Sequence, residues 1–482
     1  MYISTLKLHN FKSFKGDHTI SFSQHINFFV GNNNAGKTSI FHAIEFLTRG
    51  RSRDDFIFNQ FKDDYSQYVS VEIELSDVGD YLPTKYQNYV NDNKLRLRRS
   101  SNKEIVSQNG KDVELNIKKI AIWNTKNNQF ENPAGIDKTI SEFFDIQSIY
   151  AELHNEDLQN FSNTKLTGKL IDTVSEEFKT SPAYKQFTSA HEAAFGQDGL
   201  LKDLKSVEEK ISNTISKQFN NTKIKFKFDT PSITELYKNG HIEASSGEDY
   251  VRVDSHGNGM QRALALALIQ VFAEVTKKTS IKSNMMYLID EPEIYMHPLS
   301  QDKLLESLRI LSNTSQIFIT THSPYILRHI NPEYDSVKIF SLGTNKRFYD
   351  MEQLRLSNAN VGEITYRAFG VPTIDLHQHL FSMLYMNWID DTGTDTNHSI
   401  KDFDNYLSEN GLQRSVLMYP RMHGRWKEKK EVTYPYFVRN VIDHPELIDT
   451  NTDDHPDYAA HNKQLYNDDV LKKSIEELYK MF

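Results

Sequence analysis

The sequence predicts an α/β fold, with a mixed sheet covered by helices, followed by a mostly helical C-terminal domain. The first observation is "INFFVGNNNAGKTSIFHAIEFL", where an apolar strand passes through a small polar loop into an apolar helix. The second is a pair of continuous apolar runs, "MMYLIDEPE" and "QIFITTHSP", separated by the helical "SQDKLLESLRILSN". This β–α–β alternation is typical of sheets that contain parallel strands. Strand signals fade after about residue 350, which predicts domains over 1–350 and 351–482.

The other elements follow from periodicity along the chain. Apolar and polar residues alternate in "YISTLKLHNF", "HTISFS", "YVSVEIELSD" and "KLRLRRSS", which predicts strands. The helix after the loop is expected to end at Gly50. Residues 152–220 are polar and helix-forming and predict a short helical insertion, after which "TKIKFKFDTP" (222–231) predicts a strand. C-terminal helices are expected in "VGEITYRAFG", "DLHQHLFSMLYMNWID", "IKDFDNYLSENG" and "DVLKKSIEELYKMF".

The composition excludes several functional classes. The 482 residues include no cysteine, so the chain holds no disulfide, no cysteine–zinc site and no thiol nucleophile. No apolar run reaches the roughly 20 residues of a membrane span, and "MYISTLKLHNFKSF" lacks the apolar core of a signal peptide. We therefore expect a cytoplasmic protein without membrane contact. The formal net charge of −9 means that contact with DNA or RNA would need a local basic patch.

The loop between the predicted strand and helix has the spacing of a phosphate-binding loop. "GNNNAGKTS" fits the pattern G-x-x-x-x-G-K-[ST], although a glycine turn with a chance Lys-Thr pair would also fit. Glycines let backbone N–H groups turn toward phosphate oxygens, and the helix N-terminus adds positive potential. Lys37 is expected to reach the β- and γ-phosphates of ATP, and the Thr38 hydroxyl to bind Mg²⁺. The predicted nucleotide-binding residues are Asn32, Asn33, Asn34, Ala35, Gly36, Lys37, Thr38 and Ser39.

Acidic and imidazole side chains follow the two later apolar strands. Asp290 would hold Mg²⁺, and Glu291 would act as the general base for the attacking water. An acidic helix cap after a strand is the alternative for this pair. His322 follows the next strand, where its imidazole could contact the γ-phosphate, unless it is a structural histidine. "DSHGNGMQRALALALI" puts a glycine-rich turn at the start of a long helix, a second place for an anion.

Together these stretches resemble the ABC-type ATPases of the SMC/RecF/OLD group, also called AAA-15 or AAA-21 proteins. The resemblance covers roughly residues 1–350, through "LHNFKSFKG", "FFVGNNNAGKTSIFHAIEFL", "GNGMQRALALALI", "YLIDEPEIYMHP" and "FITTHSPYIL". It implies an ABC-type P-loop ATPase head that binds ATP between two copies of the chain. The signature turn of one copy would complete the site of the other, and hydrolysis would release the dimer.

The resemblance also implies further site residues. The signature turn corresponds to Ser255, Gly257, Asn258 and Gly259. Either Ser255 or Asn258 takes the place of the family's serine. Gln60 is the nearest candidate for the family's glutamine, which binds Mg²⁺, and Gln67 is another. Nothing resembles the acidic cluster of a Toprim nuclease domain, so nuclease activity of that type would come from a partner chain.

The C-terminal domain offers a weaker motif. "RNVIDH" resembles the R-x4-6-H motif of HEPN ribonucleases, in which Arg439 would bind the scissile phosphate and His444 would transfer a proton. Asn440 would orient both. The alternative is a helix that ends at His444. Upstream, Arg421, Arg425, Trp426, Lys427, Lys429 and Lys430 form either a nucleic-acid patch or a solvated face.

These observations lead to three functional hypotheses. The first is an ATP-driven sensor or scaffold of bacterial anti-phage defence that controls a nuclease partner, like the ATPase halves of PARIS and Septu systems. The second is a RecF-like DNA-repair ATPase, for which "KLRLRRSSNK" (94–103) is the candidate DNA contact. The third is a single-chain, ATP-gated ribonuclease. A housekeeping ATPase without a nuclease partner is the alternative to the first.

Overall fold

The computed structural model describes residues 1–79, 82–150, 166–216, 222–237, 240–245, 247, 249–279, 285–294, 296, 298–327, 330–331, 333–340, 348–350, 360–392, 398–419, 428–443 and 466–482. They form two compact units, one made of 1–140 with 318–482 and the other made of 141–317. Within these ranges, no helix combines the length and apolar character that crossing a membrane requires.

The elements alternate between strands and helices along most of the chain. The N-terminal ones are β1 (Tyr2–His9), β2 (Asp17–Ser21), β3 (Ile26–Gly31), α1 (Lys37–Arg49), β4 (Ser70–Ser76), β5 (Lys94–Ser100), β6 (Glu104–Gln108), β7 (Lys111–Leu115), β8 (Ala121–Asn124), β9 (Gln129–Glu131) and α2 (Ile136–Phe143). The central ones are β10 (Asp145–Ile149), α3 (Leu166–Lys179), α4 (Pro182–Phe195), α5 (Leu200–Ser216), α6 (Ile233–Tyr237), β11 (Glu243–Ala244), β12 (Val251–Arg252), α7 (Asn258–Thr279), β13 (Met285–Asp290) and α8 (Pro298–Leu311). The C-terminal ones are β14 (Gln316–Thr321), α9 (Pro324–Leu327), β15 (Ser336–Phe340), β16 (Phe348–Asp350), α10 (Val361–Phe369), α11 (Ile374–Thr392), α12 (Ile400–Glu409), β17 (Arg414–Tyr419), β18 (Glu428–Thr433), α13 (Tyr434–Asp443) and α14 (Asp468–Lys480).

The first unit contains an antiparallel sheet in the order β2-β1-β4-β5-β8-β9. Arg99 on β5 anchors α1 to this sheet. Its guanidinium donates to the carbonyls of Leu47 at 2.6 Å, Gly50 at 3.0 Å and Ile117 at 2.6 Å. Burial lowers the pKa of Arg99 to about 10, which leaves the guanidinium charged at neutral pH. A buried cation therefore binds the C-terminal end of the helix that follows the phosphate loop.

The mixed sheet of the first unit positions the phosphate loop. Its strands lie in the order β14-β3-β15-β16, with β3 parallel to β15 and β16 antiparallel to β15. Every residue of β3 is buried. The Phe29 ring lies 6.1 Å from Phe41, 6.2 Å from Phe318 and 6.0 Å from Phe340, measured between centroids. Because burying one such ring stabilises a fold by about 2–3 kcal/mol, this cluster fixes β3 and the start of α1.

Helices α10 to α14 and the hairpin β17–β18 share an apolar core within the first unit. Phe403 is fully buried at its centre, with its ring 5.2 Å from Phe381 and 5.4 Å from Trp388. Asp404 joins α12 to the end of β18, because one carboxylate oxygen accepts hydrogen bonds from the Thr433 N–H at 2.9 Å and hydroxyl at 2.7 Å. The region is mostly helical as predicted, but the hairpin β17–β18 was not predicted.

The second unit contains a parallel strand pair and a group of exposed helices. β10 pairs with β13 in parallel, and α7 packs against α8. Helices α3, α4 and α5 lie within the predicted helical insertion, whose bounds of 152 and 220 stay a prediction because residues 151–165 and 217–221 are outside the described ranges. No residue of α4 or α5, both described throughout, is buried.

The strand expected at 222–231 is wrong, because that segment has no regular secondary structure and pairs with no strand among the described residues. Its backbone is bound by side chains of α5 instead. The Ile224 N–H donates to the Ser212 hydroxyl at 2.9 Å, and the Phe226 N–H donates to Glu208 at 2.6 Å. The alternating pattern of 222–231 therefore belongs to a segment that packs along α5. The predicted fold class, helices on a mixed sheet followed by a helical region, is confirmed.

Candidate functional site

The phosphate loop begins at a close approach between two strands. Gly31 ends β3 with φ 154°, and a Cβ atom there would lie 2.5 Å from the Phe340 carbonyl oxygen. Asn34 and Gly36 also have positive φ, 61° and 104°. Asparagine and glycine are the residues that tolerate this backbone best. The residue types of the loop thus follow from its backbone as well as from its ligand.

Lys37 is buried beneath the loop, with 5% of its surface exposed. Its ammonium donates to the carbonyls of Gly31 at 2.7 Å and Asn32 at 3.0 Å. It also lies 2.9 Å from Nε2 of His322. An ammonium can only donate, so Nε2 accepts and the ring proton of a neutral His322 lies on Nδ1. The structure therefore brings together the two predicted phosphate ligands, which are 285 residues apart.

The rest of the loop has a polar outer side and a packed inner side. Asn33 and Asn34 are exposed, Thr38 is half-buried and Ala35 is buried. Ser39 is buried, and its hydroxyl lies 3.1 Å from the Ser13 hydroxyl. That contact was not predicted, although "LHNFKSFKG" was part of the family resemblance.

The N-terminus of α1 fits an anionic ligand. Its N-cap is Gly36, which has no side chain to cap the helix. Backbone N–H groups at such a helix end favour phosphate, and the buried Lys37 adds a positive charge beside them. The Thr38 hydroxyl, at the second residue of α1, is a hard oxygen donor of the kind that Mg²⁺ prefers. The start of α1 therefore fits a phosphate with Mg²⁺.

Asp290 is the last residue of β13 in the second unit, and Glu291 follows it. Asp290 is 8% exposed and follows four buried apolar residues. Glu291 has φ 48°, a left-handed conformation that is uncommon for a residue with a side chain. Such backbone conformations cluster at functional sites. The chain turns at Glu291, because the Ile294 N–H donates to its carbonyl at 3.2 Å.

The predicted signature turn also lies in the second unit. A short 3-10 helix, Val253–Ser255, precedes α7, which begins at Asn258. The Gln261 side chain supports the turn by donating to the His256 carbonyl at 2.8 Å. Ser255 is exposed, and nothing lies within 4 Å of a Cβ placed on Gly257. The turn is accessible, and the choice between Ser255 and Asn258 stays open.

Residues 1–327 match the sequence profile of the AAA ATPase domain family AAA_15. The chain belongs to this family. Over 347 residues it is 28% identical to the Old nuclease of Escherichia phage P2, a match that covers 67% of this chain and 57% of that protein. The chain thus spans little more than half the length of that relative. The recognition of an SMC/RecF/OLD-type ABC ATPase is confirmed.

Two further similarities are shorter or more distant. The DNA replication and repair protein RecF of Francisella tularensis subsp. novicida is 48% identical over 52 residues, 11% of this chain and 15% of that protein. The crystal structure of an SmcHead bound to the C-winged helix domain of ScpA aligns with a TM-score of 0.43 and 16% identity. That alignment covers 73% of this chain and 98% of the SmcHead chain.

Two predicted contacts of the AAA ATPase domain receive no support from their surroundings. Gln60 is exposed in a 3-10 turn, Asn59–Phe61, and its role in binding Mg²⁺ stays a prediction. Gln67, the other candidate, accepts a hydrogen bond from Asn10 at 3.3 Å. The basic stretch on β5 is largely neutralised by ion pairs: Lys94 with Glu74, Arg96 with Glu72 and Arg98 with Glu104.

The ribonuclease motif is only partly within the described residues. Arg439 pairs with Asp443 at 2.7 Å. Asn440 is 3% exposed, and its amide donates to the Tyr436 carbonyl at 2.8 Å. This burial favours a structural role for Asn440. His444 lies outside the described residues, as do Arg421, Arg425, Trp426 and Lys427, and the side chains of Lys429 and Lys430 are also outside them.

Two residues at the loop were missed from the sequence. The Asn32 amide donates to the Ala368 carbonyl at 3.4 Å, and the Phe369 ring lies 6.1 Å from the His322 ring. Both partners belong to α10, more than 300 residues after the loop. No motif marks them, and an apolar residue at a helix end usually indicates only packing.

Proposed function

We propose that this chain binds and hydrolyses ATP with Mg²⁺, dimerises through the bound nucleotide, and serves as a sensor or scaffold of bacterial anti-phage defence that controls a nuclease partner. The observation that carries the ATPase part is the buried Lys37 beside His322 at a glycine-capped helix, in a chain of the AAA ATPase domain family. The similarity to the Old nuclease supports the link with a nuclease.

Each site residue has a defined task in the proposed reaction. Lys37 would bind the β- and γ-phosphates, and Thr38 and Asp290 would hold Mg²⁺, whose charge would offset that of the phosphates. Glu291 accepts the proton of the attacking water, as a carboxylate within hydrogen-bond reach can do. His322 orients the terminal phosphate, since its Nε2 already lies 2.9 Å from the Lys37 ammonium.

A second copy of the chain is the proposed partner at the nucleotide. Its turn at Ser255 to Gly259 would complete the site, as the resemblance to ABC-type ATPases implies. The exposure of Ser255 and the open space at Gly257 support this, because a contact across a dimer needs an accessible turn. We propose that the nuclease effector is a separate protein that recognises the nucleotide-bound oligomer.

The substitution Lys37→Ala tests the ATPase site. It removes the only charge at the loop that the proposal assigns to phosphate, so the affinity for a fluorescent ATP analogue should fall by about 100-fold or more. Lys12→Ala is the control, because Lys12 is a half-buried lysine whose ammonium bonds to His42 at 2.8 Å. Unchanged affinity in the Lys37 variant would contradict the proposed site.

The substitution Glu291→Gln separates binding from hydrolysis. Glutamine keeps the size of the side chain but cannot take a proton, so turnover should fall by about 100-fold or more while ATP still binds. Light scattering after gel filtration should then show ATP-dependent dimers that persist. Glu293→Gln, two residues further on, is the control. Normal turnover in the Glu291 variant would place the general base elsewhere.

The defence role is tested in cells. Bacteria that carry this gene with its native neighbours should plate phage with lower efficiency than bacteria without it. Lys37→Ala should remove that protection. Protection that persists in the variant, or that is absent for every phage, would contradict the defence role while leaving the ATPase assignment intact.

A further inference from the structure

One end of α10 rests on the nucleotide site. The carbonyl of Ala368, in the last turn of α10, accepts the Asn32 amide at 3.4 Å. Carbonyls of the last helical turn have no partner within the helix, so an outside donor stabilises them. The Phe369 ring lies tilted beside the His322 ring, with a centroid distance of 6.1 Å and an interplanar angle of 34°. α10 also packs on β3 and β15. Its C-terminal end therefore contacts Asn32 and His322, both of which accept hydrogen bonds from Lys37.

The other side of α10 rests on α14. The Tyr366 hydroxyl donates to Glu476 at 3.3 Å, and its ring stacks on Tyr479 at 6.1 Å and 22°. The Arg367 guanidinium lies 5.2 Å over the same Tyr479 ring. Consecutive residues of one short helix thus contact the C-terminal helix and the phosphate loop.

Both ends of α10 are capped, which holds this short helix together as one element. The Asn360 side chain caps its start by accepting the Glu363 N–H at 2.9 Å. Gly370, with φ 70°, ends it by donating to the Tyr366 carbonyl at 2.8 Å. Glu363 is fully buried and pairs with Arg367 at 3.0 Å. Caps and a buried i,i+4 pair of this kind hold a short helix together.

Nucleotide in the loop would act on the residues that touch α10. The Lys37 ammonium donates to Gly31, Asn32 and His322, and a phosphate competes for those same protons. Two of these three partners, Asn32 and His322, are the residues in contact with Ala368 and Phe369. A change in the bonding of Lys37 is therefore a change at the C-terminal end of α10.

We infer that α10 is the coupling element that transmits occupancy of the phosphate loop to α14 and the C-terminal core. The inference rests on the proposed function, since it requires a triphosphate beside Lys37. It assigns Phe369 and Asn32 to the loop side of the coupling, and Tyr366 and Arg367 to the α14 side. By linkage, whatever binds at α14 then alters ATP affinity by the same factor as ATP alters its binding.

Hydrogen exchange on the full chain tests the coupling. A saturating non-hydrolysable ATP analogue with Mg²⁺ should slow exchange in 361–369 and 468–480 by about threefold or more. Tyr366→Leu cuts the contact with α14 and should remove most of the effect in 468–480 while keeping it in 361–369. Val371→Ala, at a half-exposed position just after α10, is the control and should keep both effects.

Two results would overturn the coupling by itself. One is bound nucleotide without any change in 468–480, and the other is the full change in 468–480 of the Tyr366→Leu protein. Tyr366→Phe, which deletes only the hydroxyl that meets Glu476, guards against a folding defect and should lose part of the effect. A nucleotide-binding measurement on the wild-type protein distinguishes the two failures. If no nucleotide binds, the proposed function fails and the coupling fails with it. If nucleotide binds without a change in 468–480, only the coupling fails.

Discussion

The phosphate loop and the C-terminal core both bury polar side chains, but they satisfy them in different ways. In the loop, the Lys37 ammonium bonds to two backbone carbonyls and to His322. In the C-terminal core, one oxygen of Asp404 accepts two hydrogen bonds from Thr433, and the other pairs with the Arg414 guanidinium at 3.7 Å. His377, fully buried beside Phe381, has no hydrogen-bond partner at either ring nitrogen within the part of the chain that the structure describes.

The difference is whether the hydrogen-bond partners of the buried group can be replaced by a ligand: those in the phosphate loop can, and those in the C-terminal core cannot. The partners of Lys37 can be replaced by a phosphate, because the loop is open on the side of Asn33 and Asn34. The hydrogen bonds between Asp404 and Thr433 are shielded from solvent, because both of these residues are buried. A buried polar group therefore indicates a binding site in the phosphate loop but a packing contact in the C-terminal core. Burial alone does not tell a binding site from a packing contact.

Gly31→Ala should cause the largest loss of stability, and it tests the phosphate loop. The added Cβ would lie 2.5 Å from the Phe340 carbonyl, so β3 and β15 must separate. We expect a loss of about 3–5 kcal/mol in the free energy of unfolding, measured by urea denaturation, together with loss of ATP binding. Gly16→Ala is the control, because its φ is 76° but nothing lies within 4 Å. A loss of only about 1 kcal/mol is expected there.

Asp404→Ala should give the next largest effect and tests the permanence of the core. The change leaves the Thr433 N–H and hydroxyl without their acceptor in a buried place, at a cost of about 3 kcal/mol. Hydrogen exchange in 400–443 should rise while ATP affinity stays the same. Asp404→Asn keeps one acceptor oxygen and should cost less. Equal losses for the two variants would show that charge rather than hydrogen bonding matters there.

His377 should give the smallest effect at neutral pH and a larger one in acid. Burial lowers its pKa from the ordinary 6.5 to about 3. Between these values the unfolded chain binds a proton that the folded protein does not, so stability is full above pH 6.5 and falls as the pH decreases. The loss is about 1.4 kcal/mol per pH unit, or about 2 kcal/mol at pH 5.

The matched variant for this pH effect is His377→Leu. It removes the titrating group from an apolar place, so its urea midpoint should fall less between pH 7 and pH 5 than that of the wild type. Equal pH dependence in the two proteins would show that other groups dominate acid unfolding, and that the unpaired imidazole is not the weak point of the core.

The sequence alone was enough to predict the features that ligand chemistry or hydrophobic periodicity constrain. The phosphate loop was recognisable because backbone geometry and anion binding restrict its residues to glycines, Lys37 and a hydroxyl. The strands β13 and β14 were recognisable by continuous apolar runs. Lys37 and His322 were each predicted to contact a phosphate of ATP, and those roles stay predictions. The 2.9 Å contact between their side chains was not predicted.

Other features lie beyond what a single sequence shows. The hairpin β17–β18 was missed, and "TKIKFKFDTP" was wrongly predicted as a strand, because alternation cannot tell a strand from a segment bound by Ser212 and Glu208. The contacts of Asn32 and Phe369 depend on which elements meet in space. Such long-range pairs carry no local signal, so only coordinates show them.

Arg99 affects how the loop responds to ionic strength. The Arg99 guanidinium, in a residue that is 4% exposed, binds carbonyls at the C-terminal end of α1. Lys37, which is 5% exposed, lies at the N-terminal end. At physiological ionic strength, salt screens interactions between exposed charges that are more than about 8–10 Å apart, and it screens buried charges much less. The pull of this helix on an anion should therefore persist in concentrated salt, where contacts made by surface lysines fade.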